Sequence, residues 1–205
     1  MLAIMPDGLT AHKTLRPSPQ PGELAPSELP GLRSPAKATR LALRVTVPFP
    51  HRVGTISPLD DLRTDEWDHM VDVNIKGVLN GIGTALPVFR AQGSGHFVTT
   101  ASTATSRVVP AMAVYAGTKA AVRAICEGLR QEAGPTLRVT TVSPGLIATD
   151  FAEASSNDRV RGDITRMRDE VAIEPAAVAR AVAYAIEQPA EVDVNEIVIR
   201  PTAQS

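Results

Sequence analysis

The chain has 205 residues, a formal net charge of −1, a pI near 6.4, one cysteine and 43% hydrophobic residues. A charge this close to zero leaves no broad basic footprint for nucleic acid. A single cysteine, Cys126, excludes an internal disulfide, and no run of 18 apolar residues suggests a membrane span.

The first fifty residues hold 9 of the 17 prolines, six Lys or Arg and three Asp or Glu, with no long periodic apolar segment before Arg40. Such a stretch reads as disordered or linker-like. No apolar core of signal-peptide length follows the start, so a cytoplasmic location is expected. Arg40 to Val47 alternates and is compatible with one strand. Thr64 is the expected N-cap of a helix with Asp65 and Glu66 in its first turn; this helix should pass Asn74 and reach Gln92, kinked at Pro87. Gly93 to Gly95 turn the chain into an apolar, β-branched run that ends near Ser102 and reads as a buried parallel strand. An Ala-rich helix follows from Tyr115 to about Glu132, stopped by Gly134 and Pro135. Arg138 to Gly145 reads as a second buried strand ending in a Pro-Gly turn, Pro144-Gly145, with Thr149 beyond it. Residues 151–169 are polar and charged. A further helix starts at Glu174-Pro175 and ends near Gln188, and Glu196 to Arg200 forms the last strand. About 150 residues, 54–205, can build one core.

Within this layout the chemistry concentrates on Tyr115 and Lys119. A spacing of four places both on one face of a helix. A phenol with a pKa of about 10 is a poor acid–base catalyst near neutrality, and an ammonium one turn away should draw that value down. Alone the pair is a helix-surface tyrosine and a solvated lysine. Ser102 changes the weighting, because it lies at the carboxyl end of a strand, where open α/β sheets collect ligands. Each companion also has a plain structural reading: Asn74 as a helix-kink residue, Ser102 as a cap, Pro144-Gly145 as a turn.

Taken together, Asn74, Ser102, Tyr115 and Lys119, followed by Pro144, Gly145 and Thr149, make the sequence resemble a short-chain dehydrogenase/reductase from about Gly54 to Gln204. The tail from Asn195 to Gln204 is similar to the last strand of one bacterial group of that family. The resemblance implies a Rossmann-like, doubly wound α/β sheet and interconversion of a carbonyl and an alcohol with NADP or NAD. Tyr115 would be the general acid/base. Lys119 would hold the nicotinamide ribose and lower the Tyr115 pKa. Ser102 would hydrogen-bond the carbonyl oxygen, and Asn74 would hold a water linking Lys119 to solvent. Pro144, Gly145 and Thr149 would orient the nicotinamide, and residues 151–169 resemble the mobile segment that covers the substrate. The resemblance also implies a homodimer or homotetramer through the Asn74 and Tyr115 helices, where Gly77, Gly81, Ala120, Ala121 and Ala124 offer small contacts.

The N-terminal part departs from the family. Residues 1–53 contain only Gly8, Gly22 and Gly31, not the clustered glycines that let a backbone approach a pyrophosphate. Gly81-Ile82-Gly83 has Leu86 in the third glycine's place. The expected fold is therefore a partial doubly wound sheet lacking its glycine-rich βαβ unit, with residues 1–53 read as the product of a truncated or frame-shifted gene or as an unusual leader. An inactive remnant that keeps only the helical dimerisation surface is the competing expectation. The four histidines, His12, His51, His69 and His96, lack metal-ligand spacing, and His96 is expected at a strand edge. Cys126 is expected to be a buried, inert thiol.

Overall fold

Runs such as Gly95–Thr100 and Leu137–Pro144 carry apolar or β-branched side chains on both sides of the pleat, so both faces of the sheet need a helical cover. The computed structural model describes residues 44–45 and 54–204. The expectations for the Pro-rich segment, apart from Arg44 and Val45, lie outside the described residues. Four strands, β1 (Arg44–Val45), β2 (Gly95–Thr100), β3 (Leu137–Pro144) and β4 (Glu196–Ile199), pair in parallel in sequence order. Phe97 stands opposite Val139 and Val142 opposite Ile197.

Period-two alternation sends successive side chains of β2 to opposite faces. Phe97, with Leu137 and Val139 of β3, enters a core with Ala85 and Phe89 of α2 (Gly77–Gln92) and Val122, Cys126, Leu129 and Ala133 of α3 (Ala113–Ala133). Val98 and Val142 enter a smaller cluster with Ile186 of α5 (Pro175–Glu187). Helices thus cover both faces, as a doubly wound sheet requires. Cys126 is 1% exposed among apolar neighbours, and burial pushes its thiol up, in line with the inert reading.

Arginines close two helix ends. Arg90 Nη2 donates to Glu132 O (2.8 Å) and Nη1 to Ala133 O, which satisfies the last carbonyls of α3. Arg138 donates to Ala185 O, Ile186 O and Gln188 O at 3.3, 3.3 and 3.0 Å and does the same for α5. Gly134, at φ 75°, ends α3 where the sequence places the stop.

Several expectations need correction. Arg63, not Thr64, is the N-cap of α1 (Thr64–Met70), because Trp67 N–H already bonds Arg63 O (3.1 Å). The expected single helix from Thr64 to Gln92 is instead two, α1 and α2, joined by a π-helical segment at Val71–Lys76, with Pro87 inside α2. His96 sits not at an edge but in a strand flanked by β1 and β3; it is 4% exposed, with Nε2 2.7 Å from Thr140 Oγ1. Among the described residues Gly77 makes no close approach, since a Cβ there would meet nothing within 4 Å. Gly95 does, because a Cβ there would overlap the Phe89 ring. The polar stretch 151–169 is folded as a 3-10 turn (Asp150–Ala154) and α4 (Asp158–Val171), whose N-cap Asn157 accepts from Val160 N–H at 3.1 Å.

Candidate active site

The carboxyl ends of β2 and β3 and the first turns of α3 meet at one place. Beyond β2 the chain leaves the sheet at Ala101, whose N–H bonds Val142 O (2.8 Å), and Ser102 follows in an extended conformation. Its Oγ accepts from Ala104 N–H (3.1 Å) and caps the 3-10 turn Thr103–Thr105. The capping reading is therefore correct, and it does not exhaust the residue: the same hydroxyl lies near enough to the Tyr115 phenol to draw its pKa down.

Tyr115 and Lys119 lie one turn apart on α3. Lys119 is 3% exposed; its Nζ stands 5.9 Å from the centre of the Tyr115 ring and donates to Thr100 O at 3.3 Å. Burial disfavours the charged ammonium and lowers the Lys119 pKa from its ordinary value to about 8. Burial also pushes the Tyr115 phenol above its ordinary value, with the Ser102 hydrogen bond acting in the opposite direction. The expectation of a lowered phenol thus fails for the protein alone. Desolvation is the larger effect, and the Ser102 contribution does not offset it.

Asn74 lies in the π-helical turn and is 6% exposed. Its Nδ2 donates to Thr118 Oγ1 (3.0 Å), and Thr118 Oγ1 donates to Tyr115 O (2.8 Å). A π turn inserts one residue into the ladder and re-aims the side chains around it. Here it accompanies an amide turned toward the tyrosine helix, so the kink reading and the functional reading describe the same geometry. The link passes through Thr118, which the motif spacing did not single out; a polar residue directly before Lys119, three after Tyr115, was the available signal.

Pro144 ends β3 opposite Ile199, and Gly145 N–H bonds Ile199 O (2.7 Å). A Cβ on Gly145 would overlap the Gln204 side chain, whose Oε1 accepts from Leu146 N–H at 3.0 Å. The tail thus buttresses the Pro-Gly turn. Thr149 is exposed at the head of the 3-10 turn and forms no side-chain cap there. Two residues on, the Phe151 ring meets Tyr115 edge to face, with centroids 5.3 Å apart and planes at 60°. Phe151 was also missed; its signal was an isolated aromatic at the head of a polar stretch. Among the described residues no group of three or more His, Cys, Asp or Glu side chains is placed to hold a metal ion.

A cluster of phenol, hydroxyl and buried ammonium can donate a proton to a carbonyl oxygen and stabilise an alkoxide. Among the described residues no glycine-rich turn leads from a strand into a helix N-terminus, so the phosphate end of a dinucleotide has no counterpart there.

The chain is 50% identical over 150 residues to an uncharacterized oxidoreductase of Staphylococcus saprophyticus, covering 72% of this chain and 61% of the relative. An uncharacterized oxidoreductase of Listeria monocytogenes is 44% identical over 151 residues, with 72% and 61% covered. The chain spans about three fifths of the length of these curated relatives. Among solved structures it resembles serine dehydrogenase from Escherichia coli (29% identity, TM-score 0.60, 73% of this chain and 60% of the other). It also resembles a closed serine dehydrogenase complexed with NADP+ (28%, TM-score 0.70, 84% and 69%). Likeness to an alcohol dehydrogenase of Thermococcus sibiricus (24%, TM-score 0.65, 80% and 64%) concerns the fold alone. A sequence profile described as short chain dehydrogenase matches residues 52–160, more than half of the chain. With its parallel sheet and this profile, the chain belongs to the short chain dehydrogenase family of oxidoreductases.

Proposed function

We propose that the protein interconverts a carbonyl and an alcohol as an NAD(P)-dependent oxidoreductase, with Asn74, Ser102, Tyr115 and Lys119 as its working residues. The observation that carries this reading is the cluster in which the buried Ser102 hydroxyl lies near the half-buried Tyr115 phenol and the buried Lys119 holds its Nζ 5.9 Å from the centre of the same ring. The cofactor supplies the hydride. Tyr115 gives its proton to the carbonyl oxygen in reduction and receives it back in oxidation. Ser102 steadies that oxygen. Lys119 holds a ribose hydroxyl and supports recharging of the tyrosine. Asn74, oriented through Thr118, holds a water leading toward Lys119. Pro144, Gly145 and Thr149 orient the nicotinamide. The NADP+ in the serine dehydrogenase relative supports a nicotinamide cofactor and leaves NAD and NADP both open.

Replacing Tyr115 by Phe in a version of the protein supplied with the N-terminal part of a relative should lower turnover at least about a hundredfold. Unchanged turnover would remove the assigned role. A second reading, a chain that binds no dinucleotide, is favoured by the lack of a glycine cluster in residues 1–53. Titration of the 205-residue chain with NADPH and NADH, followed by nicotinamide fluorescence, separates the two. Without the phosphate anchor, binding should be no tighter than about millimolar; micromolar binding would show that residues 1–53 supply the anchor in another way. We also propose a homodimer or homotetramer through α2 and α3, whose Ala120 and Ala124 are exposed. Ala124→Arg should reduce the particle mass in light scattering. The reading needs no nucleic acid or membrane, and no helix among the described residues is long and apolar enough to cross one.

A further inference from the structure

We infer that Phe151 is a positioning residue for Tyr115: its ring holds the phenol in rotation toward Ser102 and closes that side of the site to water. This rests on the acid/base reading of Tyr115. The two rings meet edge to face at 5.3 Å and 60°, an arrangement in which the positive rim of one ring lies against the electron-rich face of the other. A ring so held resists rotation about its Cα–Cβ bond.

Phe151 is itself packed against Gly54, at the start of residues 54–61. A Cβ on Gly54 would lie 2.8 Å from Phe151 Cζ and 2.9 Å from Cδ2, so only a glycine admits the ring at this depth. Two side-chain hydrogen bonds tie the following residues to the same stretch: Ser155 Oγ donates to Ile56 O at 2.5 Å and Asn157 Nδ2 to Asp61 Oδ2 at 2.8 Å. Ala152 and Ser155 are buried at 1% and 3% exposure, so the turn is anchored on both sides of its chain. Residues 54–61 therefore hold Phe151, and Phe151 holds Tyr115. Among the described residues the titratable group facing the Tyr115 ring is Lys119 on its own helix. The groups contributed by the other packed elements, the Phe151 ring and the Ser102 hydroxyl, do not titrate in the working range.

The chain has two tyrosines, so in a Tyr184→Phe background Tyr115 titrates alone. Tyrosinate absorbance of the full 205-residue chain is followed against pH for Phe151 itself, Phe151→Leu, Phe151→Ala and Gly54→Ala. Removing the ring should admit water and move the Tyr115 midpoint down toward the ordinary phenol value of about 10, further for Ala than for Leu. Gly54→Ala should act in the same direction with Phe151 still present, because it displaces the ring. An unchanged midpoint in Phe151→Ala and Gly54→Ala, with circular dichroism showing folded protein, would overturn the inference. If Phe151→Ala does not fold, Phe151→Leu and Gly54→Ala decide. The titration needs no substrate, so it stands even if Tyr115→Phe leaves turnover intact and the acid/base role falls. Where turnover is measurable, Phe151→Leu should lower kcat about ten- to a hundredfold with KM little changed. Its kcat/KM profile should shift along the pH axis in step with the absorbance midpoint. An unmoved profile in an enzyme whose turnover Tyr115→Phe does abolish would also overturn the inference.

Discussion

Among the described residues the two faces of the sheet are built differently. On the α2–α3 face nine buried residues form one cluster around the Phe89–Phe97 ring pair, with centroids 4.8 Å apart. On the α5 face the buried cluster is three residues, Val98, Val142 and Ile186. Polar ties supplement it there: Arg138 on the carbonyls ending α5, and Asp193 Oδ1 accepting Val139 N–H at 3.0 Å. Tyr115 and Lys119 lie on α3, the helix that covers the thick face, and the role proposed for them suits that placement. A proton donor would need to hold its position within a fraction of an ångström, and a helix packed firmly along its length provides that rigidity. The same packing raises the electrostatic cost of the charges the chemistry needs.

The comparison can be broken most directly at Phe89, which is 0% exposed. Phe89→Ala should cost about 3–5 kcal/mol, because the helix and strand around it cannot collapse onto the cavity. Urea denaturation measures this, and a loss below about 1 kcal/mol would mean that the two faces do not differ as described.

Lys119 tests the electrostatic cost. Its pKa falls on folding from 10.5 to about 8, so the native state holds fewer protons than the unfolded chain between those values. Stability should therefore rise with pH in that window and carry the full penalty, about 3 kcal/mol, below it. Lys119→Met should stabilise the fold by up to that amount at pH 7, with the advantage shrinking as pH rises above 8. Tyr115, raised on folding, acts in the opposite sense above about pH 10, where the unfolded phenol ionises first. The clean window is thus about pH 8 to 10. A stability difference between wild type and Lys119→Met that does not change with pH there would mean the ammonium is not desolvated.

On the thin face Ile186→Ala should cost about 2 kcal/mol, the low end of the range for such truncations, since Ile186 is 9% exposed and its few neighbours can adjust. A loss equal to that of Phe89→Ala would erase the contrast. The smallest effect is expected at Ala111, which adopts φ 70° in the turn where Met112 N–H bonds Val109 O (3.1 Å). Glycine relieves the left-handed strain at some cost in chain entropy, so Ala111→Gly should gain about 0.5 kcal/mol in melting experiments.

The local devices were open to reading from residue type alone. Gly134 ends α3 because the positive φ of 75° that turns the chain out of the helix is best adopted by glycine, and Pro175 opens α5 because it has no N–H to lose there. A spacing of four put Tyr115 and Lys119 together, and apolar runs became parallel strands. Other features depend on residues far apart in the chain. The Asn74–Thr118 bond joins positions 44 apart, and Phe151 meets Tyr115 across a separation that no spacing rule spans. His96 looked like an edge residue because a polar ring opens the strand; its burial follows from β1 and β3 flanking β2.

By itself the sequence determined the order of the strands and of the helices at Tyr115 and Pro175, the α/β class, and the candidate residues for the chemistry. These rest on backbone preferences and side-chain periodicity, which act over a few residues. The tertiary structure decided the surroundings of those residues: which amide reaches the tyrosine helix, which ring leans on the phenol, and the direction in which the Tyr115 pKa moves. Desolvation decides that last point. It depends on how many atoms from distant parts of the chain crowd around one group, and that crowding arises only when β2, β3, α3 and the turn at Phe151 are assembled.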